Sequence, residues 1–207
     1  IAGNKLTIYH LAASVNLGKG IKAKEEIAET NYKNTKLFFE IIKKRTKKLV
    51  FVSTAFSRGD IEGIITDDYH SEKDFKFRNF YEEFKMKVEK EVIQFAKDNN
   101  FECTIARPSV ISGRLLDYPK YVTNSYIVFY AIGAFFSKMT SMHKEIGKVR
   151  IVLNPEGGLN IVPVDYVAKA IVRAADLKEN QLNITLTKNV QIKHLLHIMF
   201  DKCGIDG

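Results

Sequence analysis

Apolar and β-forming residues run through LTIYHLA, residues 6–12, and predict a strand. Wound as a helix, residues 21–45 bring Ile27, Asn31, Thr35, Phe38, Ile41 and Ile42 near one face. LVFVST, 49–54, is a largely apolar run of the kind that a parallel sheet buries on both faces. A long polar stretch, 57–79, follows, and connections of that length are often functional. Phe84, Val88, Val92 and Phe95 then recur at helical spacing and predict a helix over 80–98. ECTIAR, 102–107, predicts a strand stopped by Pro108. The second half is less regular. It predicts an aromatic helix over 122–139, a short strand over 149–153, and a turn through Pro163 into a helix with Asp165 as N-cap. A strand over 182–186 and a helix over 190–202 complete the pattern. Strand–helix–strand–helix–strand in the first half predicts an α/β fold with right-handed crossovers and a parallel sheet covered by helices.

Ligands on such sheets bind beyond the carboxyl ends of the strands. Those ends here are HLAAS, VSTAF and ARPSVISG, all small or hydroxylated, so a ligand could approach the backbone closely. Ser53 and Thr54 end one strand, and Tyr81 and Lys85 open the next helix. Residues four apart on a helix are neighbours, so a phenol and an ammonium stand side by side. A free phenol has a pKa near 10, and a nearby cation favours the phenolate. The expectation is therefore that Lys85 lowers the pKa of Tyr81 toward a range useful for proton transfer. Thr54 and Tyr81 would then bind one substrate oxygen, with Asn31 of the preceding helix a further candidate at this edge. Taken alone, Tyr81 and Lys85 are an ordinary surface pair, and Asn31 could simply satisfy a helix backbone.

Composition narrows this picture. The chain has 207 residues, of which 45% are hydrophobic and 27% charged, as in an ordinary globular protein. The longest apolar stretch, 126–136, is too short for a bilayer span of about 20 residues. It suits core or a homodimer interface ahead of an apolar substrate pocket. Cys103 and Cys203 are far apart without metal-ligand spacing, which suits free thiols in the reducing cytoplasm. His194 and His197 lack a third ligand, so no metal site is expected. The net charge of +8 favours anionic partners. The densest run, KKRTKK at 43–48, closes a predicted helix, where cations suit the dipole. No nucleic-acid-binding motif accompanies it, so nucleic acid is not an expected partner.

At this point the chain resembles the extended short-chain dehydrogenase/reductases. YEEFKMKVE resembles their Tyr-x-x-x-Lys helix with its following Glu, here Glu89. VFVSTAF resembles the strand that ends in the catalytic Ser or Thr, and its alignment selects Thr54 over Ser53. IYHLAASV resembles the segment in which Ala12 and Ala13 line the cofactor. ETNYKNTKLFFE resembles the Asn-x-x-Gly-Thr helix, with Asn31 in the Asn position. IARPSVISG resembles the segment beside the nicotinamide, here Pro108, Ser109 and Val110. NIVPVDYVAKAIV resembles the late strand-to-helix turn. The order of these segments carries the likeness. Phe84 and Asn34 depart from the pattern at positions outside the proton chemistry.

The resemblance implies a Rossmann-type doubly wound sheet and NAD or NADP as cofactor. The deciding residue between the two normally follows a second strand that is not identified here. It also implies a glycine-rich G-x-x-G-x-x-G turn, which does not occur in this chain. Roughly 60–80 further upstream residues, about two strand–helix units and a strand, are expected on that account. Residues 1–113 are expected to belong to the cofactor-binding domain. Residues 114–207 would form mostly the substrate-binding part, with 149–175 returning to the sheet. Catalytic roles fall on Thr54, Tyr81, Lys85 and Asn31. Cofactor contacts fall on Ala12, Ala13, Ser53, Tyr81, Lys85, Pro108, Ser109 and Val110. VSTAF and RPSVI resemble the acyl-reducing, male-sterility-like branch, which implies an acyl thioester as the small-molecule substrate. Nucleotide-sugar epimerases and dehydratases use the same catalytic set and are the alternative. A cofactor-binding module without catalysis is the third reading.

Overall fold

The computed structural model describes residues 5–61, 75–142, 150–154 and 156–205. Most of the polar stretch 57–79 and the start of the expected strand 149–153 lie outside them. The chain divides into two compact units. The first holds Ile1–Ser109 and Ala168–Ile184, and the second holds Val110–Val167 and Thr185–Gly207.

In the first unit, β1 (Leu6–His10), β2 (Thr46–Val52), β3 (Glu102–Pro108) and β7 (Gln181–Ile184) form a parallel sheet in the order β1-β2-β3-β7. Their registers bring His10 beside Phe51 and Val52 beside Ala106, so the carboxyl ends lie level. This is the parallel sheet that the alternation predicts, in the Rossmann-type arrangement that the resemblance implies. The helix expected over 21–45 is segmented. It comprises α1 (Ile21–Ile27), a π-helical stretch Ala28–Lys33, α2 (Asn34–Ile42) and a 3-10 turn Lys43–Arg45. β2 begins at Thr46, three residues earlier than predicted, because Thr46 and Lys48 are drawn into the sheet. Lys48 is buried, bonds to the Leu177 carbonyl and lies 3.7 Å from Glu102. The basic run is thus partly internal.

α3 (Phe80–Asp98) has the predicted limits. Asn79 caps it, its side chain accepting from the Glu82 N–H at 3.0 Å. Val88, Val92 and Ala96 pack with Phe39, Leu49, Phe51, Cys103 and Ile105 in the main apolar cluster. One polar group also crosses this layer. Arg107 Nη2 donates to Glu89 Oε2 at 2.8 Å, with both side chains at most 1% exposed. Ser57 donates to Glu89 Oε1 at 2.6 Å, and Gln181 Oε1 accepts from Arg107 at 2.6 Å and from Arg58 at 3.1 Å.

The second unit contains β4 (Val110–Ser112), α4 (Phe129–Met142), β5 (Gly158–Leu159), β6 (Ile161–Pro163), β8 (Val190–Gln191) and α6 (Ile192–Cys203). β4 and β6 pair parallel, and β5 and β8 pair antiparallel. α4 starts seven residues later than predicted, after Val128 at φ 53°, a conformation that a right-handed helix cannot contain. Residues 150–153 are not a strand. α5 (Val164–Arg173) contains Asp165 in its first turn, so Asp165 is not the N-cap expected from sequence. Its carboxylate instead accepts the N–H groups of Leu115, Leu116 and Asp117 at 2.5–3.3 Å, and that of Tyr166 at 3.0 Å. Burial works to raise its pKa, but the four backbone donors prevail and hold it down to about 2.

His10 ends β1 among Phe38, Phe39 and Phe51, with ring centroids 5.2–5.6 Å away. Burial and then the Lys85 ammonium lower its pKa to about 4. The unfolded chain takes up this proton near 6.5 and the folded chain only near 4. Stability from His10 is therefore complete above pH 6.5 and is lost as pH falls toward 4. In His10→Leu, urea unfolding followed over that range should show a pH slope shallower by up to about one proton. An unchanged slope would contradict the buried neutral imidazole. Arg107→Met should destabilise by about 3–5 kcal/mol, because it leaves the Glu89 charge buried. The double variant Glu89→Met/Arg107→Met should lose less than the two single losses combined, and simple additivity would show that the pair is not coupled.

Candidate active site

The site is built where β1 and β2 end. Lys85, on the second turn of α3, is 4% exposed, and its Nζ donates to the Val52 carbonyl at 2.9 Å. That carbonyl belongs to the last residue of β2, immediately before Ser53 and Thr54. The ammonium also lies 5.1 Å from the Phe51 ring centroid and 5.8 Å from that of Tyr81. One lysine thus ties the first turns of α3 to the strand end. Burial lowers its pKa to about 8, against the opposing pull of Glu89.

Tyr81 departs from the sequence expectation. Its pKa is raised to about 12, chiefly by burial and then by the Glu82 carboxylate. The ammonium sits over the ring, where it does little for charge on the phenol oxygen, and desolvation prevails. At neutral pH the Tyr81 phenol is therefore protonated.

Thr54 is buried, and its Oγ1 accepts from the Phe56 N–H at 3.3 Å as cap of the 3-10 turn Ala55–Arg58. Its hydroxyl proton stays available to a ligand oxygen. Ser53 is fixed by its N–H, which donates to the Ala106 carbonyl at 2.8 Å. Its buried Oγ has no hydrogen-bond partner. A buried polar atom left so is costly unless something else bonds it.

Asn31 is buried within the π-helical stretch, a distortion frequent at functional sites. Its Oδ1 accepts from the Ser14 N–H at 2.7 Å, and its Nδ2 donates to the Ser14 carbonyl at 2.8 Å. Both halves of the amide are thereby directed at the backbone just after Ala12 and Ala13. Glu26 reinforces the same segment, accepting from Ser14 Oγ and, at 2.7 Å, from Asn16 Nδ2. These two bonds lower the Glu26 pKa. Ala12 is exposed and Ala13 half-buried. Pro108 ends β3, and the Ser109 N–H donates to the Ile184 carbonyl at 3.1 Å. Val110 opens β4 in the second unit.

A dinucleotide fits what these residues offer. The Ser53 hydroxyl lacks a partner, Lys85 has spent one of its three donors on Val52, and small side chains follow β1. Among the described residues, no group of His, Cys, Asp or Glu could hold a metal ion. No described helix is long and apolar enough to cross a membrane. Sequence reasoning did not find Ser14, Glu26, Ser57 or Gln181, because only the fold brings them to their partners. Arg107 did carry a signal, being a charged residue inside an otherwise buried strand.

The model of the NAD-binding male sterility protein family matches residues 1–171. Among curated proteins, none matches the chain. Among solved structures, the chain is similar to UDP-N-acetylglucosamine 4-epimerase from Methanobrevibacter ruminantium M1, at 19% identity and TM-score 0.72, covering 97% of this chain and 61% of that one. RMD from Pseudomonas aeruginosa, complexed with NADPH, is similar at 16% identity and TM-score 0.71, with coverages of 97% and 67%. UDP-glucose 4-epimerase from Thermotoga maritima is similar at 22% identity and TM-score 0.67, with coverages of 97% and 62%. The chain thus spans roughly three-fifths of the length of the epimerases. At these identities the likeness is one of fold. The family match extends over most of the chain and agrees with the resemblance seen in its motifs, so the chain belongs to the male sterility protein family of NAD-binding domains, among the extended short-chain dehydrogenase/reductases.

Proposed function

We propose that the chain forms part of an NAD(P)-dependent reductase that converts the carbonyl of an acyl thioester by hydride transfer. The observation that carries this reading is Lys85, a buried ammonium held to the end of β2 beside a protonated phenol. Burying such a cation costs stability, and a structural role would be met as well by a neutral side chain. Membership of the male sterility protein family supports the acyl branch.

When bound, the reduced nicotinamide supplies a hydride to the carbonyl carbon. Tyr81 donates its phenolic proton to the carbonyl oxygen as negative charge grows there. Thr54 donates a hydrogen bond to the same oxygen. Lys85 offers its unspent donors to the ribose. Ser53 offers its hydroxyl to the ligand, and Ala12 and Ala13 allow close approach after β1. Pro108, Ser109 and Val110 would border the nicotinamide. Asn31 acts through Ser14, setting the path of the backbone after Ala13, and is a positioning residue. The hydride and the Tyr81 proton together reduce the thioester to a hemithioacetal, whose collapse releases thiol and aldehyde.

A nucleotide-sugar reading uses the same residues. It is favoured by the fold neighbours, among them a UDP-glucuronic acid 4-epimerase from Bacillus cereus solved with NAD. Incubation with NADH or NADPH and panels of acyl thioesters and UDP-sugars separates the two. Loss of the nicotinamide absorbance with a thioester is the expected result. Conversion of a UDP-sugar without net oxidation would replace the acyl reading.

Tyr81→Phe should lower kcat by about 10²–10⁴-fold while cofactor affinity changes little. Equal losses in binding and turnover would assign Tyr81 to the cofactor alone. The ammonium form of Lys85 is the useful one and is lost above its pKa of about 8, so kcat/KM should fall as pH rises through that value. A profile flat to pH 10 would remove Lys85 from the chemistry.

A further inference from the structure

Two contacts tie the end of β2 to α3, one on each side of the residues that carry its hydroxyls. Ahead of Ser53 and Thr54, Lys85 Nζ donates to the Val52 carbonyl at 2.9 Å. After them, the Ser57 hydroxyl donates to Glu89 Oε1 at 2.6 Å. Lys85 and Glu89 lie four residues apart on α3, about 6 Å along its axis. A single tie would leave the segment free to swing about it, and two ties fix its direction.

The second tie has little else to support it. The 3-10 turn Ala55–Arg58 is one turn long, and such turns have poor hydrogen-bond geometry. The Ser57 N–H donates to the Thr54 carbonyl at 3.1 Å, and the Gly59 N–H donates to the Phe56 carbonyl at 3.0 Å. The bond that Thr54 Oγ1 accepts from the Phe56 N–H is longer, 3.3 Å. Ser57 therefore holds Thr54 with its backbone and α3 with its side chain. It is fully buried, as is Glu89. Glu89 does not need this hydroxyl to balance its charge, because both its oxygens already accept from Arg107 at 2.8–3.1 Å. What the hydroxyl contributes is location.

We propose that Ser57 is a positioning residue, which holds the turn after β2 to Glu89 and so aims the Thr54 hydroxyl at the substrate oxygen that Tyr81 protonates. The proposal rests on the reading above for the role of Thr54. The tie between the turn and α3 stands without it.

The test is a double-mutant cycle between Ser57→Ala and Thr54→Val in the full-length protein, with kcat and KM measured on a palmitoyl thioester and on UDP-glucose. Ser57→Ala leaves Glu89 paired with Arg107, so Tm should fall by no more than about 4 °C. Its kcat should drop about 10–100-fold, with KM and NAD(P)H affinity within about twofold of wild type. Ser57→Ala should cost nothing further in the Thr54→Val background, where there is no hydroxyl left to aim. A full additional loss there would overturn the proposal, and so would a loss carried by KM or by cofactor affinity. Hydrogen exchange supplies a readout that needs no turnover. In Ser57→Ala the Phe56 and Ser57 amides should exchange at least tenfold faster, and unchanged exchange would sink the proposal whatever the substrate. Turnover of UDP-glucose alone defeats the acyl reading and leaves the same cycle to be read on that sugar. Turnover of neither probe defeats the reaction for these substrates, and amide exchange then decides for Ser57.

Discussion

Glu89 and Arg107 meet in the layer between α3 and the sheet, where neither charge reaches water. A lone charge there would be prohibitive, so each side chain makes the other's position obligatory. The pair also gathers Ser57 from the turn after β2 and Gln181 from β7. Four segments distant in sequence are thereby held to one point. Tyr81, Lys85 and Glu89 follow one another at four-residue spacing on α3, so fixing Glu89 also fixes the row to which the candidate site residues Tyr81 and Lys85 belong.

That geometry sets the electrostatics of the site. Lys85 is buried deeply enough to lose part of its proton affinity, while Glu89 one turn away limits the loss. Tyr81 is half-buried, and desolvation moves its phenol upward rather than toward neutrality. The two pKa values move apart, with Lys85 lowered to about 8 and Tyr81 raised to about 12, contrary to the simple picture of a lysine acidifying a tyrosine. The phenol keeps its proton at neutral pH, and the ammonium has donors left for a ligand.

The first strand is governed by a different device. The π-helical stretch Ala28–Lys33 interrupts what would have been one long helix and buries Asn31 against Ser14. Two hydrogen bonds from one amide then set the course of the chain after Ala13. In the second unit Asp165 does a similar task with backbone N–H groups of residues 115–117. Both are polar side chains spent on shaping loop backbone, which has no ladder of its own to satisfy it.

Periodicity was sufficient for the parts whose structure is local. The limits of α3, the apolar strands β2 and β3 and the alternation that yields a parallel sheet were all legible, because side-chain spacing and burial obey the same period. The Tyr81–Lys85 pairing was legible for the same reason. Other features depended on contacts between residues far apart in sequence, and only the tertiary structure decided them. The π-helical break, the inward turn of Lys48, the late start of α4 and the role of Asp165 are of this kind. So is the direction in which the Tyr81 phenol shifts. Spacing along a helix says which groups are neighbours, but desolvation depends on everything folded around them.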